Sequence, residues 1–485
     1  MSPIVVLLIL LAYLGLILLV AYLTSRKANS ATFYIGNKQS PWYVVAFGMI
    51  GASLSGVTFM SVPGWVGTTQ FSYLMIVAGY MVGYTIIATV LLPLYYKLNL
   101  TSIYTYLEQR FGFWSYKSGA FFFMLSRTIG ASFRMFIVIN VLQLFIFDAW
   151  GVPFTFTTLL FILMVILYTY QGGIKTIIWT DTLQTTFMLL AVVFSIYFIA
   201  NELDTGIGTL INDVFKSDSS QIVFTDWTDK RHYLKQFLAG IFITIVMTGL
   251  DQEMMQKNLS CRNLRDAQKN MFSFAAVLFL VNLAFLFLGA IIYIYAGNKG
   301  ITIPKTTDDL FPIVAMQYLG PIAAIVFLIG LISAAFPSAD GALTSLTTSF
   351  TIDILKLNNN AKLTEKQKTR LRYKVHLLFA TLLLVMIVLF KAINDQAVIS
   401  KLFTVAGYTY GPLLGLFSFG LFTKRNVRDK WVPLIAVFSP IACYFLNRYS
   451  ETLFFGYKFS FELLIINGLI TFAGLLLVSN KKQII

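Results

Sequence analysis

Long apolar stretches, separated by short polar connections, dominate the pattern of this chain. Crossing a bilayer as a helix takes roughly 20 predominantly apolar residues. Thirteen stretches meet that test: 3–25, 42–69, 71–96, 118–147, 153–170, 180–200, 233–252, 271–296, 320–352, 375–391, 399–422, 431–447 and 461–479. The pattern therefore predicts an all-α integral membrane protein with about 13 transmembrane helices in a single embedded domain. The first stretch reads as an anchor, because its apolar run is too long for a cleaved leader and its charges, Arg26 and Lys27, follow it.

Two spans depart from a uniform apolar helix. The second contains Gly48, Gly51, Ser53, Ser55 and Gly56, then Pro63-Gly64; the seventh contains Gly240 and then Thr248-Gly249-Leu250-Asp251-Gln252. They lie five spans apart and so cross in opposite directions. Paired interrupted helices in that relation point to an inverted-repeat transporter with its site at the breaks. The competing reading is that small residues merely allow close helix packing.

Composition agrees with the pattern: 58% of residues are hydrophobic and only 12% charged, about half the charge of a soluble domain. The net charge of +15 would suggest nucleic acid in a soluble protein. Here 24 of the 36 Lys and Arg, Lys257 among them, fall on one side if the N-terminus is outside, and the longest exterior loop, 201–231, is acidic. The positive-inside rule then sets the N-terminus outside and the C-terminus in the cytoplasm, in a plasma (inner) membrane, with no nucleic-acid partner. Two cysteines and two isolated histidines give no disulfide framework and no metal-ligand spacing.

Ionisable residues at membrane depth are costly and are functional-site candidates by default. Arg127 and Arg134 are seven residues apart, two turns on one helix face. Asp181 opens the sixth span, Asp251 ends the seventh and Asp340 sits within the ninth. Each is either functional, a structural ion pair or an end residue reaching for the interface. Pro337 has no N–H to donate, so the carbonyl of Ser333 is released; together with the Ser338 hydroxyl and the Asp340 carboxylate this offers oxygen ligands suited to a hard cation.

Several segments resemble the sodium/solute symporter family, which includes sodium/glucose, proline, iodide and sialic acid symporters. They are residues 100–112; Gly172-Gly173 with Trp179-Thr180-Asp181 and Gln184; Gly249-Leu250-Asp251-Gln252 with Gln256-Lys257, Leu259 and Ala267-Gln268-Lys269; and Gly411-Pro412 with Gly415 and Gly420 to Arg425. The resemblance implies a leucine-transporter-type fold of two inverted five-helix repeats, 41–200 and 233–425. Residues 1–40 would add an N-terminal helix and cytoplasmic loop, 201–232 an extracellular loop and 426–485 two C-terminal helices. It also implies a sodium site made by Gly51, Leu54, Ala334 and Ser338. Family members usually carry two adjacent hydroxyl residues where this chain has Pro337-Ser338. A second site matches Asp181, with Asp340 as an added carboxylate that binds sodium, takes a proton or is structural.

Matched substrate positions are Ser55, Thr58 and Arg134, with Asp251, Tyr408 and Tyr410 near the pocket. An arginine fork holds a carboxylate bidentately. The implied function is sodium-coupled import of a small polar solute, a carboxylate such as a sialic acid or a sugar, by a protein that is a monomer and not an enzyme. The alternative is a transporter-like solute sensor.

Overall fold

A computed structural model describes residues 3–25, 38–357, 362–393 and 398–480. Arg26 and Lys27 lie outside the described residues. The helices are α1 (Pro3–Ser25), α2 (Trp42–Thr69), α3 (Tyr73–Ile86), α4 (Phe113–Leu142), α5 (Phe154–Glu202), α6 (Tyr233–Thr244), α7 (Gln252–Leu259), α8 (Leu264–Asn298), α9 (Gly320–Ser349), α10 (Glu365–Ile393), α11 (Val398–Thr409), α12 (Gly411–Phe422), α13 (Val432–Arg448) and α14 (Leu463–Leu477), joined by short helices and turns.

Each of the thirteen stretches read from the sequence lies on these helices. Eight helices among the described residues are long and apolar enough to cross a membrane, ten with two bent pairs each taken as one crossing. The run Trp42–Lys97 accounts for two stretches: 56 residues of straight helix would reach about 84 Å against a hydrocarbon core of about 30 Å, and the chain turns at Gln70, whose φ is 53°.

α5 is a second such case. Its helical run spans 49 residues. Three successive ring contacts, Phe161–Phe336 at 5.3 Å, Phe336–Tyr13 at 6.2 Å and Tyr13–Phe187 at 5.9 Å, tie its two ends together. In a straight helix Phe161 and Phe187 would stand about 39 Å apart. α5 therefore folds back between them, giving the two arms that the sequence reads as 153–170 and 180–200.

At the centre stands α9, with every residue from Gly330 to Ser349 buried, packed on α5, α2 and α4. A helix enclosed on all sides needs no polar face toward water. Its hydroxyls and Asp340 thus face protein on every side. α3 and α6 press together at paired glycines: a Cβ on Gly240 would collide with the Ile76 carbonyl, and one on Gly79 with that of Phe237. Small residues at such crossings let backbones approach closely.

Candidate functional site

The two interruptions expected from the sequence are present. In α2, Ser55 has φ 28° and ψ 171°, a conformation foreign to an α-helix, and the helical dihedrals resume beyond it. A serine at positive φ is strained. The break places the carbonyls of residues 51–54 at the end of the first half, where helical acceptors lose their partners. α6 runs through a π-helical turn, Ile245–Gly249, and meets α7 at a bend of 64° across Leu250-Asp251. α11 and α12 meet at a third bend, of 48°, at Tyr410, inside a stretch read as one span.

A cavity of about 70 Å³ lies against the α2 break, lined by Ser55 and Thr58, by Arg127 and Arg134 of α4, by Thr248, and by a wall of Tyr73, Tyr80 and Tyr84. The two arginines differ in their company. Arg127 is buried between two acids, its Nη1 3.6 Å from Asp251 and its Nη2 against Glu253. Arg134, also buried, makes no ion pair among the described residues, and its Nε has no hydrogen-bond partner. A charge at this depth is costly unless something answers it, so Arg134 is the cavity arginine that, among the described residues, has no acid to answer its charge.

Asp251 does not line the cavity. Its Oδ1 caps α7 by accepting from the backbone N–H groups of Glu253 and Met254, at 2.9 and 3.3 Å, and its Oδ2 accepts from the Tyr410 hydroxyl at 3.2 Å. Tyr410 is thereby committed to Asp251. Tyr408 lies away from the cavity, its hydroxyl accepting from Asn447 Nδ2 at 2.8 Å. Among the substrate positions matched by resemblance, Ser55, Thr58 and Arg134 thus share one cavity, and Asp251, Tyr408 and Tyr410 do not line it.

A second polar region lies where α2, the second arm of α5 and α9 pack. Gly51 faces Thr185, and a Cβ there would strike the Thr185 hydroxyl. Asp181 and Asp340 are both fully buried and within electrostatic range of each other. Asp340 Oδ2 accepts from the Tyr168 hydroxyl at 2.9 Å. Asp181 Oδ2 takes the ammonium of Lys257 at 2.7 Å. Four oxygens remain with no hydrogen-bond partner: Asp181 Oδ1, Thr185 Oγ1, Ser338 Oγ and Asp340 Oδ1. Leaving a buried polar atom unsatisfied costs about 1–3 kcal/mol each. Oxygens, two of them on carboxylates, are the ligand type that suits a hard cation.

Sequence reasoning missed Lys257 and Glu253. Lys257 reads from the sequence as one of the cytoplasmic positive charges. The structure buries it and pairs it with Asp181 and, at 3.2 Å, with Glu253. The available signal was the spacing Glu253/Lys257, four residues apart in a segment rich enough in polar residues to look like a loop. Thr185 and Tyr168, which complete the oxygen-rich region, carried no motif of their own.

A broken-helix bundle with a cationic cavity, and with buried partnerless oxygens where α2, α5 and α9 pack, is the architecture of an ion-coupled transporter. The chain belongs to the sodium:solute symporter family, whose model matches residues 33–429; it is a sodium-coupled symporter of a small organic solute. The chain is 26% identical over 439 residues to a sodium/sialic acid symporter of Aliivibrio fischeri, covering 88% of this chain and 85% of that one. It is 24% identical to a sodium/sialic acid symporter of Proteus mirabilis, covering 93% and 90%, and 24% identical to the human sodium-coupled monocarboxylate transporter 1, covering 86% and 69%. Among solved structures, a substrate-bound, outward-open sodium-coupled sialic acid symporter superposes with a TM-score of 0.83 at 22% identity over 97% of both chains. That likeness gives the leucine-transporter-type fold.

Proposed function

We propose that this protein imports a small carboxylated solute of the sialic acid type with sodium, across a plasma membrane, with its N-terminus outside. The single observation that carries the reading is Arg134, unpaired and facing the cavity while its neighbour Arg127 is engaged by two acids. A guanidinium with no ion pair among the described residues is suited to a solute carboxylate, which it would hold by two parallel bonds. Ser55 and Thr58 supply hydroxyls for the polar remainder of the solute. A second cavity, lined in part by Lys230, Arg231 and Gln236, shares Tyr73 and Phe403 with the first and supplies the access route from outside.

Sodium is assigned to two sets of oxygens: the family-matched carbonyls of Gly51, Leu54 and Ala334 with the partnerless Ser338 hydroxyl for one ion, and the free oxygens of Asp181 and Asp340 for a second cation. The deciding experiment is uptake of N-acetylneuraminate into proteoliposomes under an inward sodium gradient. The expected result is accumulation that collapses when choline replaces sodium. Ser338→Ala should raise the sodium concentration for half-maximal uptake; unchanged sodium dependence would remove Ser338 from the site.

A further inference from the structure

The ion region and the solute cavity are joined by an unbroken line of buried ion pairs. Asp181 holds Lys257 at 2.7 Å, Lys257 holds Glu253 at 3.2 Å, Glu253 contacts the guanidinium of Arg127, and Arg127 reaches Asp251 at 3.6 Å. The five side chains come from α5, α4, α7 and the bend before α7, and none is more than about 5% exposed. One end of the line carries the partnerless Asp181 oxygen, and Arg127, near the other, forms part of the cavity wall.

We infer that this line is an electrostatic relay by which sodium at Asp181 and Asp340 raises the positive potential of the cavity. The inference rests on the reading of those two carboxylates as a cation site. Lys257 and Arg127 compete for one carboxylate, Glu253. A sodium ion on the free oxygens of Asp181 and Asp340 weakens the hold of Asp181 on Lys257 and repels its ammonium. Lys257 then turns more fully to Glu253. Glu253 in turn releases part of its hold on Arg127, whose charge becomes available beside Arg134. Charges in a low-dielectric interior interact strongly enough for small displacements to matter. By linkage, an anion bound at the arginines must tighten sodium binding by the same factor. Glu253 acts as a positioning residue, touching neither ion nor solute.

The test reads the cavity potential directly and does not depend on the solute. In a full-length protein with Cys261 and Cys443 changed to serine, Thr58→Cys gives one thiol at the cavity. Its reaction rates with an anionic and a cationic methanethiosulfonate reagent are compared with and without sodium, while sodium binding is followed by thermal shift. The expected result is that sodium raises the anionic-to-cationic rate ratio, by at least about fivefold, the low end of typical two-site coupling. Adding Glu253→Gln should make the ratio high without sodium and insensitive to it, with the sodium-induced rise in melting temperature retained. Glu253→Asp, which keeps the charge, should restore the response. The relay is overturned if sodium stabilises the Thr58→Cys protein without changing the ratio, a result that needs no folded Glu253 variant. It is equally overturned if Glu253→Gln keeps the full response. A responsive ratio in a protein that does not bind N-acetylneuraminate would sink the solute assignment and leave the relay standing.

Discussion

Arg134 and Arg127 show how one residue type takes two roles on one helix face. Seven residues separate them, so both project toward the same cavity, and only the acids around Arg127 distinguish them. The spacing was legible in the sequence. The difference in company was not, because Glu253 lies more than a hundred residues away and sits in a polar stretch with no periodicity to mark it as buried. Arg134→Lys keeps the charge but loses the planar fork. With charge-assisted hydrogen bonds worth about 1.5–3 kcal/mol, N-acetylneuraminate affinity should fall by roughly 10- to 150-fold. Isothermal titration with and without sodium checks this, and sodium binding followed by thermal shift should be unchanged. Equal affinity in Arg134→Lys would move the carboxylate elsewhere.

At the scale of helices, the breaks decide where chemistry can happen. The α2 break at Ser55 was readable, because glycines and small hydroxyls cluster where an apolar helix has no use for them. The bend at Tyr410 carried a weaker signal, Gly411-Pro412: a proline restricts the residue before it and often begins a new helix. Packing of α3 on α6 is equally specific. Gly240→Ala forces a methyl into the Ile76 carbonyl, and overpacking of that kind costs about 1–3 kcal/mol, so the variant should melt lower than the parent in detergent.

A loop residue sets a pH dependence. Asp308 Oδ2 accepts from the backbone N–H of Val398 at the start of α11, its Oδ1 has no partner, and burial pushes its carboxyl up to about 6 from 3.8. A raised carboxylate pKa means that the folded state binds the proton more tightly. Its stabilising contribution is therefore full below about pH 4 and lost as pH rises through about 6. Asp308→Asn keeps an acceptor for Val398 without the charge. Melting temperatures should match the parent near pH 4 and exceed it above pH 7, reflecting a stability gain on the order of 2–3 kcal/mol. A constant difference across that range would mean that Asp308 is not the titrating group.

For the whole molecule, the proposed sites predict how many cations accompany the solute. Around the cavity and the ion region stand four acids, Asp181, Asp251, Glu253 and Asp340, against three bases, Arg127, Arg134 and Lys257. With all seven groups ionised, one negative charge is in excess before anything binds, and a carboxylated solute adds another. Uncompensated charge in such an interior is costly, so the prediction is two cations per anion, which would leave the loaded protein neutral. That stoichiometry moves one net positive charge inward per cycle. A membrane potential of about 100 mV contributes ~2.3 kcal/mol, and each sodium moving down a roughly tenfold gradient adds ~1.4 kcal/mol. Two sodium ions per anion therefore support accumulation of several thousandfold, on the order of 5 kcal/mol, whereas one sodium per anion is electroneutral and supports only about tenfold. Uptake of N-acetylneuraminate into proteoliposomes, with the potential set by potassium and valinomycin, separates the two. Stimulation by an interior-negative potential, and its loss in Asp340→Asn, is the expected outcome. Uptake indifferent to potential in the parent protein would leave a single sodium, and the excess carboxylate would then be held neutral by its own proton.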